Sequence, residues 1–115
     1  MSKSAYVYGW NLSNITYYSL KDKHKNFEKE VKNAIAALDC NKFLFNETVN
    51  DFNNCSLGVN LGELNSRNFF LSDFAPKPSG EDKALLKDML SKLDDSLVSF
   101  FNNLGEPMVF IVWGE

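Results

Sequence analysis

Apolar and polar residues follow three different periods along this chain, and each period predicts an element. Residues 5–10, Ala-Tyr-Val-Tyr-Gly-Trp, are aromatic and β-branched with apolar groups pointing both ways, the mark of a strand inside a sheet. The passage 11–19 is polar and turn-rich, interrupted by Ile15, Tyr17 and Tyr18. Leu20, Phe27, Val31, Ala34, Ile35 and Leu38 then fall on one helical stripe, predicting a first helix capped by Ser19 and ending near 39–41. Lysines 21, 23, 25, 29 and 32 take most of its remaining surface.

Residues 42–54 fit two periods at once. Phe43 and Phe45 alternate as in a strand, whereas Phe45, Val49 and Phe52 sit at helical spacing, and so short a run does not decide between them. Cys55, Leu57, Val59 and Leu61 alternate with Ser56, Gly58 and Asn60, predicting a half-buried strand. The polar stretch 62–68 then turns the chain into 69–74, a hairpin with a long loop. Pro76 and Pro78 mark a connection. A second helix is expected over about 81–103. Ser79 caps it, and Glu81 and Asp82 complement the positive end of its dipole. Leu86, Leu90, Leu93, Leu97, Phe100 and Leu104 form its stripe, widened by Leu85, Met89 and Phe101, and Gly105 and Pro107 stop it. Residues 108–113 are a continuous apolar strand suited to a sheet interior. The expected architecture is a single α+β domain over 1–115, a mixed four- to five-stranded sheet packed by two amphipathic helices.

Composition supports one folded core. At 115 residues with 44% hydrophobic and 14% aromatic side chains, the chain has the material that disordered sequences lack. Its longest apolar run, 108–113, is far short of the roughly 20 residues that span a bilayer. No secretory signal pattern opens the sequence, so a cytoplasmic address and no membrane partner are expected. The two cysteines, Cys40 and Cys55, are then expected as free thiols. N-x-S/T triplets begin at Asn11, Asn14, Asn46 and Asn54; in an Asn-rich chain without a secretory signal they read as compositional. Heavy use of Asn, Lys and Phe beside one arginine, Arg67, resembles the AT-rich coding bias of a bacterial or mobile-element gene.

Charge divides the chain. The net charge is −3, yet residues 1–42 hold seven lysines against four acids, and 43–115 hold five basic residues against eleven acidic ones. Within the second part, Glu47, Asp51, Glu63 and Asp73 stand in a lysine-free stretch, 43–76, opposed by Arg67 alone.

Candidate chemistry is sparse. His24 is the single imidazole, set among Lys21, Lys23 and Lys25 like an ordinary solvated residue. Cys40 lies near a helix C-terminus, where the dipole disfavours a thiolate, and Cys55 opens a strand in acidic, apolar company. The neighbours Glu81–Asp82 and Asp94–Asp95 do not face each other on a helix. No zinc, calcium or phosphate-loop spacing occurs. No metal, cofactor or catalytic residue is therefore assigned, and the chain is read as non-enzymatic. The leading expectation is a protein-binding domain, a small inhibitor or immunity-type protein that neutralises a basic partner through Glu47, Asp51, Glu63 and Asp73. The alternative is a phage or plasmid accessory protein, or a module that stacks single-stranded nucleic acid on Tyr6, Tyr8, Trp10, Tyr17 and Tyr18 beside the lysine-rich helix. The overall acidity weighs against the nucleic-acid reading.

Overall fold

A computed structural model describes residues 4–47, 54–64 and 76–113. The element order is β1 (Ala5–Leu12), α1 (Asn14–Lys23), α2 (Phe27–Ala37), β2 (Phe43–Asn46), β3 (Cys55–Glu63), α3 (Gly80–Ser91), α4 (Asp95–Asn103) and β4 (Met108–Val112). The strands lie in the order β2-β3-β1-β4, and each described pairing is antiparallel. The fold is α+β, as the alternation of periods implies. Phe43 and Phe45 settle as strand residues in β2. The strand expected at 69–74 lies outside the described residues.

Strand alternation sorts the sheet into two faces. Tyr8, Trp10 and Leu12 of β1 pair with Val59, Leu57 and Cys55 of β3, and this face meets the helices. Its core is filled by Leu20, Phe27 and Val31 from α1 and α2 and by Leu86, Met89, Leu97 and Phe101 from α3 and α4. Each fully buried large side chain contributes about 1.5–3 kcal/mol. The opposite face carries Val7, Gly9, Ser56 and Gly58, and it too is buried at those positions. The inside position expected of β1 is the one it occupies. The last strand differs: β4 stands at the end of the described sheet, and Met108 is 71% exposed.

Both expected helices are broken in two. The passage read as a turn at 11–19 already begins α1, because Ser13 rather than Ser19 is the cap and its hydroxyl accepts from the Thr16 N–H. No apolar side chain lies between Leu20 and Phe27 to hold a continuous helix to the core, and the chain turns at 24–26 before α2. The span 81–103 divides at 92–94, where the Asp94 carboxylate accepts from the Ser96 N–H and caps α4. The Asp94 backbone N–H donates in turn to Glu30 of α2. Leu93 remains buried in the turn and Leu97 is buried in α4, but Leu90 is only half-buried and Leu104 is exposed. The start of α3 is as expected and more complete: Ser79 and Asp82 cap each other's backbone in a reciprocal box.

Candidate functional site

The acidic residues expected to meet a partner do not converge where they are described. Glu47 follows β2 and is held by Lys32 of α2 at 2.6 Å. Glu63 ends β3 in an exposed position. Since Asn46 pairs with Ser56, seven strand residues separate Glu63 from the level of that pair, roughly 24 Å along β3. The two belong to opposite ends of the sheet. Asp51 and Asp73 lie outside the described residues.

Glu47 belongs instead to a polar cluster over α1 and α2. The Tyr17 hydroxyl donates to Glu28 at 2.7 Å, and Lys21 pairs with the same carboxylate oxygen at 3.3 Å. Burial works to raise the Glu28 carboxyl, but the Tyr17 hydrogen bond and the Lys21 charge outweigh it and hold the group below its ordinary range. Beneath the cluster, burial first and then the charges of Glu28 and Glu47 push the Cys55 thiol up to about 12. Cys55 is thereby kept protonated and unreactive at neutral pH. Cys40 and Cys55 are both free. Lysines 21 and 32 are spent on ion pairs, and Tyr6, Trp10 and Tyr17 are buried in the core. Of the N-terminal rings proposed for base stacking, Tyr18 is the one with more than half its surface exposed.

A cleft of about 520 Å³ opens between α3 and the sheet. Its floor is Tyr8 and Trp10 of β1; one wall is the α3 face carrying Lys83, Leu86, Lys87 and Leu90; the other is the turn at Gly105, Glu106 and Pro107. That turn forms because Gly105 adopts φ +107°, a conformation disfavoured for residues with a Cβ, and because the Trp10 indole N–H donates to the Gly105 carbonyl at 3.2 Å. Lys83 and Lys87 stand four residues apart on one side of the helix and are exposed. Neither makes an ion pair among the described residues. Burial, then the nearby Glu106 charge, raises the Tyr8 phenol above its ordinary value, so it keeps its proton.

A second groove, about 320 Å³, lies beside the first residue of β4, where β1 runs on past its pairing with that strand. Gly9 pairs with Met108, but Trp10, Asn11 and Leu12 have no described β4 partner. Leu104, Met108 and Phe110 line this groove with Trp10 and Leu12. Ile15, between the lining residues Ser13 and Thr16, is 85% exposed. Sequence reasoning missed both openings. Lys83 and Lys87 were visible as a like-charged pair at helical spacing, but Met108 was hidden in an apolar run that reads as interior strand.

Comparison with protein-family models, curated proteins and solved structures finds no significant match to this chain. Among the described residues, no helix is long and apolar enough to cross a membrane.

Proposed function

We propose that this chain is a non-enzymatic protein-binding domain, an inhibitor or immunity-type protein that neutralises its partner by covering it. The observation that carries this reading is the apolar rim at the start of β4, where Met108 is 71% and Leu104 39% exposed in a groove they line together with Phe110. Large apolar side chains grouped at one opening are the usual centre of a protein contact, and scattered ones are not. The chain's net charge of −3 favours a basic partner and a faster encounter with it. Because Glu47, after β2, and Glu63, in β3, lie at opposite ends of the sheet, the proposed contact is centred on the apolar rim, with acidic residues serving long-range attraction. A cytoplasmic address belongs to the same proposal.

A photo-crosslinking residue placed at Met108, and separately at Lys29 on α2, tests it. The expected result is one protein captured from Met108 and not from Lys29, whose purified activity is blocked by one equivalent of this chain. Met108→Asp should weaken that complex at least tenfold while leaving the melting temperature within a degree or two, since exposed substitutions cost little stability. Identical capture from both positions, or a partner whose activity is untouched, argues against the reading.

A further inference from the structure

The cleft between α3 and β1 has the composition of a ligand site, and its lysine wall is not part of the docking groove. Its volume of about 520 Å³ falls in the range of small-molecule pockets, roughly 300–1,000 Å³. Lys83 and Lys87 line it from one side of α3, one helical turn apart and with no anionic partner among the described residues, so an anion in the cleft would relieve a small like-charge repulsion. Glu106 lines the same cleft with Tyr8, on the 105–107 turn and not on α3, so that wall offers acceptors and repels negative charge. The cleft is therefore polarised, cationic along α3 and electron-rich at the 105–107 turn, with Leu86, Leu90 and Pro107 as apolar lining between.

We propose that this cleft binds a small aromatic anion, its negative group held by Lys83 and Lys87 and a hydrogen-bond donor at its other end held by Tyr8 and Glu106. The apolar and aromatic lining accepts the flat body of such a molecule. The ammonium groups bind a carboxylate or sulfonate through charge-assisted hydrogen bonds. Glu106 excludes molecules anionic at both ends and sets the orientation. The docking groove beside the start of β4 shares Trp10 and Glu106 with this cleft, whereas Lys83 and Lys87 line the cleft and not the groove, so the lysine variant tests this inference separately from the docking reading.

The test compares 6-hydroxy-2-naphthoate, 2-naphthoate and 2-naphthol by calorimetry, with NMR following the Trp10 indole N–H that is tied to the Gly105 turn. The hydroxynaphthoate should bind tightest and shift that resonance. The double variant Lys83→Gln, Lys87→Gln should weaken both naphthoates by roughly tenfold or more and leave 2-naphthol unchanged. Both lysines are exposed, so folding is retained, and an unaltered circular dichroism spectrum checks it. Glu106→Gln with Tyr8→Phe should abolish the advantage of the hydroxynaphthoate over 2-naphthoate. The proposal is overturned if the naphthoates bind the lysine variant as well as the parent, if charge makes no difference among the three, or if none moves the Trp10 resonance at millimolar concentration.

Discussion

The Trp10 indole N–H donates to the Gly105 carbonyl at 3.2 Å, across 95 residues of sequence. The same ring packs on Phe101 with centroids 5.0 Å apart, so one side chain anchors β1, α4 and the turn into β4. Trp10→Phe removes the hydrogen bond but keeps an aromatic ring, and should cost about 0.5–1.5 kcal/mol for that bond, plus some packing. Gly105→Ala, at φ +107°, should cost about 1 kcal/mol or more from backbone strain. Because both changes loosen one contact, the double variant should lose less than the two losses added. Denaturant titration of the four proteins measures this.

Gly9 and Gly58 face each other across the central strand pair, and the space a side chain needs is already filled. A Cβ on Gly58 would lie 2.3 Å from the Tyr8 carbonyl oxygen and 2.7 Å from a Val7 methyl. Gly58→Ala should therefore destabilise by roughly 1–3 kcal/mol or more, as overpacking does. Gly80→Ala meets nothing within 4 Å at the start of α3 and should be neutral or slightly stabilising. Comparing the two midpoints in urea separates a backbone collision from a general aversion to losing glycine.

The break between α3 and α4 sorts the leucines of what reads as one stripe. Leu97 is fully buried and Leu93 nearly so, while Leu104 is 39% exposed. Leu97→Ala should cost roughly 2–5 kcal/mol, with Leu93→Ala toward the lower end of that range. Leu104→Ala should cost under about 1 kcal/mol. A large loss at Leu104 in calorimetric unfolding would mean that this side chain is packed into the core and not exposed.

Asp82 makes stability depend on pH in a definite direction. Hydrogen bonding from the Ser79 backbone N–H leads in lowering its carboxyl below the ordinary value, burial opposes this, and Lys42 at 3.7 Å adds to the lowering. The folded protein thus binds a proton at Asp82 less readily than the unfolded chain. The stabilisation is present above the unfolded carboxyl range, near pH 4, and is lost as pH falls through the lower folded value. Asp82→Asn should lower the melting temperature at pH 7, and its difference from the parent should shrink toward pH 2. A difference that is constant with pH would assign the effect to shape rather than charge.

These elements differ in how much of them one sequence displays. The cap at Ser79, the faces of β3 and the inside position of β1 are local, carried by residue types within a few positions of each other. The helix breaks are not, because Leu20 to Phe27 and Leu90 to Leu97 are each seven residues apart. Seven residues is nearly two helical turns, so the apolar stripe stays in phase through both interruptions. The capping aspartate at 94 was the available sign of the second break, and it passes easily for a surface acid. The cleft is harder still: Lys83 and Lys87 are visible at their spacing, but they become a wall when the 105–107 turn is carried to Trp10. That meeting is a property of strand order, as is the exposure of Met108 at the start of β4.

Strand order also governs how the chain behaves while it is being made. β1 emerges from the ribosome before both of its neighbours, β3 and β4, and Tyr8 pairs with both Val59 and Val109. At translation speeds of roughly 5–20 residues per second, about 5–20 s pass between the appearance of residue 12 and that of residue 108. Throughout that interval one flank of β1 has no β4 beside it, and Tyr6, Val7 and Tyr8 present backbone donors and acceptors that any extended segment can satisfy. Slow stretches of message before residue 108 would lengthen this exposure, and an early stop there would leave a nascent sheet with an open central strand.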